Sequence, residues 1–216
     1  MTGEGDRGAV REQLLLATLP HVTFDGWTLT AMTAGAADCG MDAVAVRRYF
    51  PGGPAEMVAL FSDWADTRMR DALEKTDLSA MKIRDRITFA VRARIEALAP
   101  HREAARRALA FLALPAHAPL AAKCVYRTVD DMWYAIGDRS VDFSFYTKRG
   151  LLAGVHSATM LYWLQDNSED FAETWSFLDR RIADVMRIQR LTGRLGEAAS
   201  KLPDPFRLAR QFAPRR

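Results

Sequence analysis

The sequence predicts an all-α protein of about nine or ten helices. Three observations predict it. Breakers at Pro20, Gly26, Gly40, Pro51-Gly52-Gly53-Pro54, Pro100, Pro115, Pro119, Gly137 and Pro203-Asp204-Pro205 cut the chain into helix-sized segments. Alanine, a strong helix former, makes up about one residue in six. Alternating strand patterns are nearly absent.

The elements follow in order. Arg11 to Leu19 is a first helix, ended by Pro20. Thr28 to Cys39 is a second, with Leu29, Met32 and Ala36 on one face. Gly40-Met41 is a tight turn, and Asp42 can cap a short third helix, Ala43 to Phe50. Pro51-Gly52-Gly53-Pro54 stops it. Ala55 to Glu74 is a long fourth helix, striped by Met57, Leu60, Phe61 and Trp64. Met81 to Ala99 carries Ile83, Ile87, Val91, Ile95 and Leu98 on one stripe, and Glu103 to Leu114 follows. The arginines of these two helices read as solvated faces. Gly137 ends the next helix, and Asp138 to Phe145 connects it to an apolar helix running to about Gln165. Asp170, with Glu173 three residues on, reads as the capping arrangement of a last long helix.

The chain has 216 residues, 49% hydrophobic and 26% charged, which argues against a disordered chain and a multi-pass membrane protein. Its two cysteines, Cys39 and Cys124, exclude a disulfide scaffold and a Cys-based structural zinc site. The net charge is +3, unevenly spread. Residues 187–216 hold eight Arg or Lys against two acids, a net of +6, leaving −3 for residues 1–186. The first residues are polar and acidic, unlike a secretory signal. The longest apolar run, Leu151 to Leu164, is shorter than the roughly 20 residues that span a bilayer. These features predict a cytoplasmic protein that meets a membrane only at its surface.

The order of the first four helices, with Gly26, the aromatic pair Tyr49-Phe50 and the following turn, resembles the helix-turn-helix of TetR-type regulators. That resemblance implies DNA binding, and the chemistry argues against it. A recognition helix needs Arg, Lys, Asn or Gln near its start to reach base edges. Here it starts Asp42-Ala43-Val44-Ala45-Val46, and Arg47 and Arg48 come at its far end. Where the regulators place a phosphate-binding Lys, this chain has Gly52, Gly53 and Pro54. A retained helix-turn-helix used as scaffold is the preferred reading, and a TetR-type transcriptional regulator is the alternative.

No catalytic constellation appears. His21, His101, His117 and His156 lack matching partners at metal-ligand spacing, and no phosphate loop, nucleophile elbow or dinucleotide fingerprint is present. No enzyme activity, metal or cofactor is expected, and His156 on the apolar helix reads as a satisfied core histidine. Gly150, Gly154, Ser157 and Ala158 put small side chains along that helix. They mark either close packing or room for an apolar ligand beside Leu151, Leu152, Val155, Met160, Leu161 and Leu164. Trp133, near Asp130 and Asp131, is either an interface anchor or a buried aromatic.

Leu19-Pro20-His21-Val22-Thr23-Phe24-Asp25-Gly26-Trp27, Phe50-Pro51-Gly52-Gly53-Pro54, Asp131-Met132-Trp133-Tyr134, Gly137-Asp138, the block from Phe145 to Ala153 and Thr174-Trp175-Ser176-Phe177-Leu178 resemble the bacterial members of the coenzyme Q (ubiquinone) biosynthesis protein nine family. The resemblance covers nearly the whole chain. It implies a TetR-like fold that has lost DNA binding and gained a lipid pocket. It also implies a non-catalytic protein that holds isoprenoid quinone precursors and presents them to the demethoxyubiquinone hydroxylase. Carried over residue by residue, the partner-binding patch is Asp130, Trp133 and Tyr134. A homodimer, an inner-membrane surface as docking place and no nucleic acid are implied as well.

The tail fits that last expectation. Asp204 can cap and Pro205 can open a short helix that groups Phe206, Leu208, Ala209 and Phe212 on one side, opposite Arg207, Arg210 and Gln211. Such a basic amphipathic segment suits an anionic membrane surface through Phe206, Arg207, Leu208, Arg210 and Phe212. Arg180, Arg187, Arg190 and Arg194 share an upstream helical face. The expected organisation is a helix-turn-helix part at 7–54, a ligand-holding bundle at 55–200 and a membrane-contact segment at 201–216.

Overall fold

A computed structural model describes residues 3–137 and 143–200. The described residues form nine α-helices and three short 3-10 turns, without a strand. In order the helices are α1 (Gly3–Asp25), α2 (Leu29–Asp38), α3 (Ala43–Tyr49), α4 (Gly53–Glu74), α5 (Ile83–Leu98), α6 (Arg102–Leu112), α7 (Ala118–Ala135), α8 (Phe143–Trp163) and α9 (Ala172–Ser200). The described residues are all-α, as predicted.

α1 extends well beyond Arg11 to Leu19 and runs through Pro20. A proline inside a helix removes one N–H donor. The position is tolerated because Leu14, Leu15, Leu19 and Val22 bury one face of α1 on both sides of it. Thr28 caps α2 by accepting from the Ala31 N–H, and Asp42 caps α3 by accepting from the Ala45 N–H at 3.0 Å. Gly40 and Gly53 take positive φ at the two turns that bracket α3. Met32 and Ala36 are buried, whereas Leu29, expected on the same face, stays exposed at the first turn of α2. α1 and α2 cross closely at Gly35. A Cβ there would lie 2.7 Å from Thr18 backbone atoms.

One apolar core runs from Leu14 to Ile182 and joins the front helices to the bundle. Trp27 seals the junction. Its ring lies 5.3 Å from that of Phe61, and its Nε1–H donates to the Ala104 carbonyl at 3.1 Å. Gly137, at φ +88°, ends α7. No single helix among the described residues is long and apolar enough to cross a membrane.

The turn between α8 and α9 corrects the expected cap at Asp170. Asp170 has a positive φ and does not cap. Asp166 does, from four residues earlier. Its carboxylate accepts from the Ser168 N–H and hydroxyl at 2.8 and 2.6 Å, and from the Thr174 N–H and hydroxyl at 2.8 and 2.6 Å. Ser168, not Asp170, takes the Glu173 N–H. On the far side of this turn Arg102 of α6 donates to the carbonyls of Trp163 and Asp166. The arginine thereby helps satisfy the carbonyl of Trp163, the last residue of α8, and ties down the turn beyond it.

Candidate functional site

A cavity of about 230 Å³, open on one side, lies between α4, α5, α6, α7 and α8. Val58 and Phe61 of α4, Leu98 of α5, Ala105, Ala108, Leu109 and Leu112 of α6, Val125 of α7 and Met160 and Leu161 of α8 make its apolar wall. The alanines of α6 leave the space that bulkier residues would fill. Leu161 is also exposed to solvent, so α8 reaches from the cavity to the surface.

The polar residues of the lining are Ser62, Arg94, Cys124, Thr128, His156 and Ser157, the last being one of the small residues that the sequence placed along α8. Behind them stands a buried ion pair. Arg94 donates from Nε to Asp66 Oδ1 at 2.6 Å, and both side chains are buried. The Thr128 hydroxyl reaches both Asp66 oxygens, Arg94 Nη2 reaches the Ser62 hydroxyl, and Arg127 lies 3.4 Å from Asp66 and from Asp63. The arginines of α5 are therefore not all a solvated face. Arg94 falls inside the stripe of Ile87, Val91, Ile95 and Leu98, and burial demands the partner that α4 supplies. A charge inside an apolar stripe was the signal in the sequence.

His156 is buried as expected but is not satisfied. Its Nδ1 has no hydrogen-bond partner among the described residues. Burial, and secondly the Arg94 charge, hold the imidazole well below its ordinary range, so the ring is neutral at pH 7. Burial likewise pushes the Cys124 thiol up, keeping it a thiol.

The six residues expected beside a ligand divide. Met160 and Leu161 line the cavity. Leu151, Leu152 and Val155 line a separate void of about 40 Å³ with Trp133 and Ile182. Leu164 is buried and lines neither. Gly150 and Gly154, which were to make room, have open space where a Cβ would stand. Room in the cavity comes from α6 instead. The helical period explains the difference: Gly150 and Gly154 share a face of α8 that turns away from Val155 and His156.

Asp130, Trp133 and Tyr134 do not form one surface. Trp133 is buried, Tyr134 is 78% exposed, and Asp130 pairs with Arg149 at 2.7 Å. Lys148 lies 5.6 Å over the Trp133 ring. Phe206, Arg207, Leu208, Arg210 and Phe212 lie outside the described residues, as do the side chains of Arg190 and Arg194. Among the described residues no three His, Cys, Asp or Glu side chains gather as a metal site would.

An all-helical bundle with a helix-turn-helix front and an apolar cavity between its helices defines the TetR-like fold class. A solved TetR transcriptional regulator from Nitrosomonas europaea superposes with a TM-score of 0.68 at 21% identity, over 82% of this chain and 98% of that one. At that identity the likeness concerns the fold. Residues 118–189 match the COQ9 family model. The chain is 39% identical to the mitochondrial ubiquinone biosynthesis protein COQ9 of Drosophila melanogaster, over 85% of this chain and 57% of that protein. It is 34% identical to the human protein of the same name, over 83% of this chain and 58% of that one. The chain thus spans less than two thirds of these relatives' length.

Proposed function

We propose that the chain is a non-catalytic accessory protein of ubiquinone biosynthesis that holds an isoprenoid quinone precursor and presents it to the demethoxyubiquinone hydroxylase. The single observation that carries the reading is the apolar cavity inside the bundle, in a chain whose relatives are named for that pathway. The polyprenyl portion of such a lipid is hydrocarbon, and its transfer from water into the apolar wall is favourable by about 25 cal/mol per Å². The exposed Leu161 gives the lipid a route between cavity and surface.

The hydroxylase would meet the exposed Tyr134 and Asp130, with Trp133 supporting them from within. The segment from Phe206 to Phe212 would hold the protein at the inner membrane, and a second copy would complete a homodimer. Nothing in α3 favours the DNA-binding alternative. Its exposed face carries Ala43 and Val44 ahead of Arg47 and Arg48, and at the entrance to α4 the Gly52 N–H is taken by Glu56 at 2.8 Å. A carboxylate there opposes a phosphate.

Mass spectrometry of lipid extracted from the purified chain tests the proposal. An isoprenoid quinone or its precursor should be recovered in near-stoichiometric amount. Extracts without isoprenoid, from a chain that also fails to take up added ubiquinone, would overturn it.

A further inference from the structure

The buried ion pair at the cavity is internally paired. Arg94 is taken by Asp66 and Ser62, and the Thr128 hydroxyl by Asp66. The charges balance as well, since Asp66 and Asp63 stand against Arg94 and Arg127. His156 stands apart from that network: the residue is 4% exposed and lines the cavity, and its buried Nδ1 has no partner among the described residues. An unpaired buried nitrogen is a cost to the fold with no return from the described residues. Leucine or phenylalanine would serve an empty apolar bundle better at that position.

We infer that the cavity takes an amphiphile whose head is an uncharged oxygen group, an alcohol, phenol or carbonyl, and that His156 reads this head through a hydrogen bond. The reading deepens the lipid-holding function above and rests on it. A neutral imidazole has one nitrogen that donates and one that accepts, so it serves a hydroxyl or a carbonyl according to tautomer. An ionic head gains nothing comparable. It would shed its water beside charges that already answer each other, and desolvation would go unrepaid. A pure hydrocarbon fills the wall and leaves His156 unpaired. The residue is thus a specificity determinant for the head, while Met160, Leu161 and the α6 alanines accept the chain.

The test uses the full chain freed of copurifying lipid and three probes of matched shape: butylbenzene, 4-butylphenol and 4-butylbenzoate. Calorimetric titration should show 4-butylphenol binding about ten-fold tighter than butylbenzene, the worth of one buried hydrogen bond. 4-Butylbenzoate should bind more weakly than the phenol. His156→Leu should abolish the phenol's advantage without weakening butylbenzene, and His156→Gln should retain part of it. The imidazole ¹⁵N resonances of the unmutated chain should shift with 4-butylphenol and hold still with butylbenzene, which decides the matter even if His156→Leu fails to fold. Equal binding of phenol and hydrocarbon, or an advantage that survives in His156→Leu, overturns the role of His156 and leaves the lipid-holding function standing. Tightest binding of the benzoate overturns the uncharged head. A chain that binds none of the three has no ligand cavity, and both readings fall.

Discussion

Arg94 and Asp66 are opposite charges buried together in this bundle, each the other's charged partner at 2.6 Å. Removing one partner strands the second in a low-dielectric interior. Arg94→Met should therefore lower unfolding free energy by about 3–5 kcal/mol in urea titration. The exposed Arg92, paired with Glu96 at 2.7 Å on the helix surface, is the control. Arg92→Ala should cost no more than about 0.5 kcal/mol. Equal effects would mean that the buried pair has no special weight. His156 adds a dependence on pH. Its value in the fold lies well below its ordinary one, so as pH falls below about 6.5 the unfolded chain takes up a proton that the native chain refuses. Stability from this residue is complete above that pH and declines as pH falls toward the folded value. His101, shifted the same way by burial, acts in parallel. His156→Gln should reduce the stability lost between pH 7.5 and 5, read as urea midpoints at both values; an unchanged loss would place the titration elsewhere. At this scale the sequence revealed types but not partners. Arg94 was read with its neighbours as a solvated face although it falls inside an apolar stripe, and its partner Asp66, twenty-eight residues away on another helix, left no local signal. His156 was visibly a core residue, but whether its nitrogens are paired depends on the surrounding helices.

Elements were legible where their signals are local. Thr28 and Asp42 cap as their residue types demand, and Gly40, Gly53 and Gly137 turn the chain where a left-handed backbone is required. The α8–α9 turn was misread because its capping residue acts at a distance. Asp170 and Glu173 have the spacing of a capping box, yet the carboxylate at Asp166 reaches Thr174 across an irregular turn. Burial pushes the Asp166 carboxyl up, but the hydrogen bonds from Ser168 and Thr174 outweigh it and bring it down to about 2. Its folded value is below its unfolded value, so it stabilises the fold above about pH 4 and that contribution is lost as pH falls toward 2. Asp166→Ala should leave the buried Thr174 without its partner and cost about 2–4 kcal/mol in thermal or urea unfolding at pH 7. The gap between variant and parent should close on acidification to pH 2. A gap that stays constant over that range would show that the carboxylate charge is irrelevant to the turn.

At the scale of the whole molecule, the single core from Leu14 to Ile182 makes the helix-turn-helix part of one folded body with the cavity-bearing bundle. A TetR-like shape was legible from breakers and caps; the cavity was not, because its room is made by alanines on α6 facing four other helices. The charge distribution then separates two polyanions that a chain of +3 could meet. The exposed face of α3 gives DNA little to hold, and the surplus of residues 187–216 lies at the opposite end of the sequence. Each cation near an anionic bilayer contributes about 1 kcal/mol, so the four Arg of residues 205–216 amount to several kcal/mol before the apolar side chains Phe206, Leu208 and Phe212 are added. Deleting residues 205–216 should therefore sharply reduce flotation with phosphatidylglycerol-rich vesicles, and salt should weaken the full chain's flotation. Neither full-length nor shortened chain should give a sequence-selective DNA gel shift. The deletion removes no residue of α3 or of the core, so the two measurements address different parts of the chain. Flotation unaffected by the deletion would remove the tail from the membrane reading, and a selective, salt-sensitive DNA shift would return the protein to the regulators whose fold it shares.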